Sequence, residues 1–268
     1  MSDIKKLAGI IRQSSLRMVH QAKASHIGSA LSIADIVAVL YGKALNINPE
    51  EPHMSSRDRF ILSKGHACVA VYSALAARGF FEESQLEEYG KDHSIMMTHI
   101  SHKIAGVEFS TGSLGHGLPF GTGKALAAKK QGEIWRVMVL LSDGELGEGS
   151  NWEAMMFAAH HKLDNLVAIV DYNKLQSLSS VDKTLRVEPL ADKAKSFGWA
   201  VREVDGHDHQ RLLNLLEKGP WEAEKPSFLI AHTTKGKGVT FMENKIEWHY
   251  KSPSSEELMQ ALEELSRA

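Results

Sequence analysis

Residues 137–141 (VMVLL) and 166–170 (LVAIV) are uninterrupted apolar runs of strand length. A run with no polar alternate side suits a strand covered on both faces. Between them, Trp152, Met155, Met156, Ala159 and Leu163 recur at three-to-four spacing, which predicts a helix over 151–162 with Ser150 placed to cap its first turn. Strand, helix and strand make a βαβ unit. Ligands of such units lie outside the carboxyl ends of the strands, where helix N-termini offer free N–H groups to anions. Ser142, Asp143 and Gly144 occupy that edge after the first strand, and Asp171, Tyr172 and Asn173 occupy it after the second.

Gly144, Gly147 and Gly149 let the backbone turn sharply and approach a phosphate, whereas Asp143 repels one unless a cation lies between them. That combination calls for Mg²⁺, a hard ion that takes oxygen ligands and keeps phosphates and water among them. The Asp143 carboxylate, the Asn173 amide oxygen and one nearby backbone carbonyl would fill the protein's share. An isolated Asp-Gly pair marks an ordinary turn in most sequences. Here the strand before it and the Asn at the neighbouring strand end argue for the site.

The rest of the chain alternates helix and strand. Helices are expected over 4–23, 33–44, 84–89, 190–197, 210–217 and 256–266, with others running to Ala77 and to Lys130. Short strands are expected over 59–62, 200–204 and 228–231. Ser32 with Asp35 three residues on reads as a capping box opening the second helix. Residues 93–117 form a long loop rich in His, Ser and Gly, unusual for a passive connector, and 233–255 has no clear periodicity. The 268 residues, 43% hydrophobic and 24% charged, suffice for one large core. A single doubly wound, mostly parallel α/β domain over 1–268, with helices on both faces, is therefore predicted. A net charge of −2 gives no reason to expect a nucleic-acid or membrane partner. The lone Cys68 excludes an internal disulfide. No apolar run is long enough to span a bilayer and no signal core is visible, so the expected location is cytoplasmic.

Other motifs have blander readings. Gly121-Thr122-Gly123-Lys124 fails the phosphate-loop spacing, since Leu118 stands where the first Gly belongs and Ala125 follows the Lys. No GxGxxG follows a strand. His207-Asp208-His209 and His160-His161 lack further spaced ligands, so surface or capping roles are expected, with Asp208 an N-cap. Lys124, Lys129 and Lys130 read as a solvated helix face.

Ser142-Asp143-Gly144, Glu148-Gly149, Glu153-Ala154 and Asp171-Tyr172-Asn173, with Asn173 thirty residues after Asp143, resemble the thiamine diphosphate motif, with Ser142 where that pattern begins with Gly. Nearly the whole chain resembles the N-terminal, diphosphate-binding portion of transketolases. The resemblance implies thiamine diphosphate and Mg²⁺ as cofactors, with Leu175 as the backbone metal ligand beside Asp143 and Asn173. It implies cofactor contacts from His66, within Ser63-Lys64-Gly65-His66-Ala67, and from Ser113, Leu114, Gly144, Glu148 and Asn173. His26, within Ser25-His26-Ile27-Gly28, is implied as a catalytic residue, together with His99 and His249. Two departures stand out: Ile27 where the family often has Pro, and His116 where it commonly has Gln. The segment between His99 and Glu108 is also altered.

Transfer of a two-carbon ketol unit requires deprotonating a sugar hydroxyl and protonating an acceptor oxygen, and neutral imidazoles suit both near pH 7. The resemblance also implies what this chain lacks: a pyrimidine-binding domain supplying a carboxylate to the cofactor, and most of the sugar-phosphate contacts. The expectation is one subunit of a split transketolase, active with a C-terminal partner subunit that carries the pyrimidine-binding domain. Assembly as a dimer of heterodimers is expected too, with Glu148 and Glu153 at the contact between copies. Half of a deoxyxylulose-phosphate synthase-like enzyme, or a cofactor-binding module without turnover, are the alternatives.

Overall fold

The computed structural model describes residues 1–267. Helix α1 (Ser2–Ala22) buries Ile4, Leu7, Ile11 and Leu16 along one stripe and stops at Lys23, whose left-handed φ of 49° lets its N–H turn back to the His20 carbonyl. Helix α2 (Ile27–Val39) follows at once, and a π-helical turn (Leu40–Ala44) ends it. Strand β1 (Arg59–Leu62) then leads through a 3-10 turn into α3 (Cys68–Ala77). After the irregular stretch come α4 (Gly117–Gln131), β2 (Val137–Ser142), α5 (Gly149–His160) and β3 (Leu166–Tyr172). The chain continues through α6 (Val181–Thr184), α7 (Leu190–Ser196), β4 (Ala200–Asp205), α8 (His209–Leu216), β5 (Ser227–His232) and α9 (Ser255–Ser266).

The five strands form one parallel sheet in the order β1-β2-β3-β5-β4. Alternation along β2 divides the core into two layers. Met138 and Leu140 join the layer containing α1, α2, α3 and α8, while Val137, Val139 and Leu141 join the layer containing α4, α5 and α7. All five are fully buried, so truncating Leu140 to Ala carries a cost of about 2–5 kcal/mol. The register places Ser142 beside Asp171 and Tyr172 beside His232, which sets the polar ends of β2, β3 and β5 side by side.

The predicted α/β alternation and both central strands are present, and Asp208 caps α8 by accepting from the Arg211 N–H. Three expectations are corrected. The second helix starts at Ile27 rather than after Ser32, because every residue of α2 is buried and Ser32 and Asp35 point to tertiary partners instead of its own N-terminus. Ser150 does not cap α5; its hydroxyl donates to the Gly115 carbonyl at 2.6 Å, and Glu148 stands at the N-cap. Ile27–Ala44 does have the length and hydropathy to cross a membrane, against the expectation that no run would, but 89% of it is buried inside the protein.

Candidate active site

The carboxyl ends of β2 and β3 place Asp143 and Asn173 at the rim of a cavity of about 210 Å³, also lined by Lys64, His66, Leu114 and Lys235. Asp143 is 1% exposed. Its Oδ1 accepts from the Gly144 N–H at 2.7 Å and its Oδ2 from the Lys174 N–H at 2.5 Å. Among the described residues it has no ion-pair partner, and burial, with the Asp171 charge second, pushes its carboxyl up to about 7. A cation at this carboxylate would reverse both effects. Asn173 donates from Nδ2 to Asp171 Oδ2 at 3.0 Å and accepts at Oδ1 from the Leu175 N–H at 3.1 Å, which fixes its amide orientation. Leu175 lines the same cavity. No cluster of three or more His, Cys, Asp or Glu with metal-holding geometry exists among the described residues, so the donors here are one carboxylate, one amide and carbonyl oxygens. That set suits a hard cation such as Mg²⁺.

Behind the rim lies a buried ion pair. Lys64, 1% exposed, donates from Nζ to Asp171 Oδ2 at 2.5 Å and to the Ser29 carbonyl at 3.2 Å. Ser32 and Thr233 donate their hydroxyls to the other Asp171 oxygen, and these bonds with Lys64 hold its carboxyl below the usual range against the opposing effect of burial. Lys235, equally buried, donates from Nζ to the Leu175 and Gln176 carbonyls at 3.3 and 3.2 Å and stands 3.0 Å from His249 Nδ1. Burial lowers its ammonium to about 8, with the Lys64 charge acting the same way.

Four imidazoles converge beside these lysines. The His26 ring centroid is 4.9 Å from that of His66, 5.0 Å from His249 and 5.9 Å from His99, and His66 and His249 are 5.6 Å apart. Burial lowers all four. His26 falls to about 4 and His249 to about 3, His66 drops well below its usual value, and His99 shifts in the same direction. Neighbouring cations and imidazoles add to burial at His26, His66 and His249. The four are neutral at pH 7, able to accept or share a proton. His26 itself adopts φ 75° and ψ 17° as the residue before α2, a left-handed conformation that non-glycine residues hold only when surroundings impose it. The fifth histidine of the resemblance, His116, is exposed at the start of α4 and makes no ring contact with the four.

The turn at Ser113 and Leu114 is held from beneath by Glu145, a fully buried carboxylate. Its Oε1 accepts from the Gly115 N–H at 2.9 Å and from the Ser63 hydroxyl, and its Oε2 accepts from the Ser142 N–H at 3.2 Å. Gly115 sits at φ 82°, and a Cβ there would lie 2.6 Å from Glu148 Cβ, so the turn needs glycine both for its backbone and for space. Leu114 and Gly144 line the cavity, whereas Ser113 and Glu148 are exposed outside its lining. Nothing in the spacing of the sequence marks Lys64 and Lys235 as buried cations. A signal for the second is positional instead, since Thr234-Lys235-Gly236-Lys237-Gly238 follows the carboxyl end of a strand in the same sheet.

Residues 4–266 match the family described as transketolase, thiamine diphosphate binding domain. The chain belongs to this transketolase family. It is 42% identical over 262 residues to an apulose-4-phosphate transketolase subunit of Actinobacillus succinogenes, covering 97% of this chain and 95% of that one. It is 39% identical over 255 residues to the corresponding protein from Phocaeicola vulgatus, covering 95% and 91%. The transketolase structure from Campylobacter jejuni superposes with a TM-score of 0.92 at 31% identity, covering 99% of this chain and 43% of that one. The transketolase fold predicted from the motif is thus the fold observed, and thiamine diphosphate is the cofactor that the family binds.

Proposed function

We propose that this chain is the diphosphate-binding subunit of a split transketolase, moving a two-carbon ketol unit from a ketose phosphate to an aldose acceptor with thiamine diphosphate, Mg²⁺ and a partner subunit. The observation that carries this reading is the convergence of four neutral, half-buried imidazoles, two of which, His66 and His249, line the cavity rimmed by Asp143 and Asn173. A binding module without turnover has no use for such a set of proton-transfer groups. Relatives named as transketolase subunits match this chain along nearly their full length, which supports a separate partner.

When bound, thiamine diphosphate supplies a nucleophilic carbon and an electron sink. Asp143, Asn173 and the Leu175 carbonyl would hold Mg²⁺ at the diphosphate, while His66, with Gly144 and Leu114, would hold the diphosphate end. His26, His99 and His249 take the proton from the donor hydroxyl at a free ring nitrogen and return it to the acceptor oxygen. Their depressed pKa values keep that nitrogen available as a base at neutral pH. Lys235 Nζ, 3.0 Å from His249 Nδ1, stands where it holds that ring in place. Exposed Glu148, at the N-cap of α5, and exposed Glu153 within it fit a contact between copies in a dimer of heterodimers.

The test mixes purified chain, Mg²⁺ and thiamine diphosphate with ribose 5-phosphate and either xylulose 5-phosphate or apulose 4-phosphate, with and without a candidate chain carrying the pyrimidine-binding domain. Ketol transfer should depend on the second chain. Full turnover without it would overturn the split reading, and release of carbon dioxide in a parallel mixture that holds pyruvate in place of the ketose phosphate would point to a decarboxylating synthase.

A further inference from the structure

The segment from Thr233 to Lys237 carries Lys235 into the cavity, and a buried hub outside the cavity grips it at two points. The hub is Asp35 on α2, 5% exposed. Arg12 of α1 donates from Nη1 to Asp35 Oδ1 at 3.2 Å and from Nη2 to Oδ2 at 2.5 Å. His207 Nδ1 lies 2.7 Å from Oδ2, and His209 Nε2 lies 2.7 Å from Oδ1. The two histidines of His207-Asp208-His209 are therefore neither surface residues nor metal ligands. Both converge on one carboxylate whose oxygens are already taken and which a guanidinium accompanies.

His207 has a second bond that His209 lacks. Its Nε2 accepts from the Thr234 N–H at 2.9 Å, so Nε2 is unprotonated and Nδ1 carries the hydrogen donated to Asp35. The carboxylate thereby selects the tautomer that can hold Thr234. Arg12 also reaches past Asp35, donating from Nε to the Lys237 carbonyl at 3.0 Å. Thr234 and Lys237 bracket Lys235, and the Gly236 N–H between them donates to the Gly28 carbonyl at 3.0 Å. Gly236 sits at φ 80° with the Met242 carbonyl oxygen 2.4 Å from where a Cβ would be, so the segment is pinned by close backbone packing as well.

We propose that Asp35, acting through His207 and Arg12, is a positioning residue that holds the 233–238 segment so that Lys235 Nζ stays against His249. Asp35 touches neither cavity nor cofactor site. Its effect travels through two hydrogen bonds to the backbone on either side of Lys235.

The contrast between His207 and His209 separates positioning from simple support, because each gives Asp35 one bond and only His207 reaches the segment. In the full chain, hydrogen–deuterium exchange across 233–238 should speed about tenfold in His207→Ala, the scale of one lost hydrogen bond. It should stay at the wild-type rate in His209→Ala. His207→Gln, whose amide can donate to Asp35 and accept from Thr234, should restore protection. If His207→Ala fails to fold, Arg12→Lys keeps a cation at Asp35 while removing the bond to Lys237, and it should raise exchange over the same residues. Equal exchange in His207→Ala and His209→Ala, whether raised or unchanged, would overturn the proposal.

The consequence for turnover rests on the ketol-transfer reading: with the partner chain, kcat should fall about tenfold in His207→Ala and hold in His209→Ala. Absence of ketol transfer in the wild-type mixture would count against that reading alone, since the exchange measurement decides the positioning role by itself.

Discussion

The backbone N–H of His26 donates to the carbonyl of His249 at 2.7 Å, and their imidazoles meet edge to face with centroids 5.0 Å apart. One bond thus fixes the start of α2, the left-handed turn at His26 and the late segment that carries His249. His66 and His249 line the cavity that holds Asp143, whereas His26 stands outside its lining, and this division assigns His26 and His66 different duties.

His26→Asn keeps a residue that tolerates left-handed backbone and removes the imidazole. Turnover with the partner should fall by roughly a hundredfold to ten-thousandfold, the usual contribution of a general base, with thiamine diphosphate affinity near normal. His66→Ala should do the opposite and chiefly raise the cofactor dissociation constant. Calorimetry and steady-state kinetics on both variants decide the matter, and a cofactor defect in His26→Asn would mean the roles are exchanged.

Mg²⁺ with thiamine diphosphate should raise the melting temperature of the wild-type chain, since a ligand of the folded state alone stabilises it by mass action. Asp143→Ala should abolish most of that rise, because among the described residues no other carboxylate lines the cavity. A thermal shift in the variant equal to the wild type's would remove Asp143 from the metal site.

The histidine cluster makes stability depend on acidity. In the window from about 6.5 down to about 4, the unfolded chain binds protons at positions 26 and 249 that the folded chain refuses. The stability that these two histidines contribute is therefore fully present above 6.5 and is lost as pH falls through that window. His26→Asn should flatten the slope of melting temperature against pH between 6.5 and 4 and leave it unchanged above 7. An unaltered slope would show that His26 titrates normally in the folded protein.

Lys64→Met should destabilise the chain by about 3–5 kcal/mol, because the Asp171 charge would be left buried without its cation. Urea unfolding measures this. A loss within about 1 kcal/mol, the range of an exposed pair, would mean that Ser32, Thr233 and Asn173 satisfy Asp171 by themselves.

The central strands β2 and β3 were legible in the sequence because they are buried on both faces, an environment that unbroken apolar runs satisfy. Asp143, Asn173 and the four histidines were legible through motif spacing and family resemblance. The start of α2 was not. Ser32 and Asp35 have the spacing of a capping box, and local rules cannot see that Asp171 and Arg12, far along the chain, claim those side chains. Lys64 and Lys235 were hidden for a related reason: a lysine reads as a solvated charge until its partners are known. His116 went the other way, matching by position and ending on the surface.

The parallel sheet is complete once β5 ends at His232, yet Lys235 and His249 come after it. A nascent chain emerging from the ribosome through β5 would own every strand and three of the four clustered imidazoles, and still have no finished pocket. Contacts spanning more than two hundred residues, such as His26 to His249, are among the last that a polypeptide closes. Cofactor retention therefore reports on the final docking of the C-terminal segment, so a protease cut between β5 and His249 would silence the pocket while leaving the sheet's circular dichroism nearly intact.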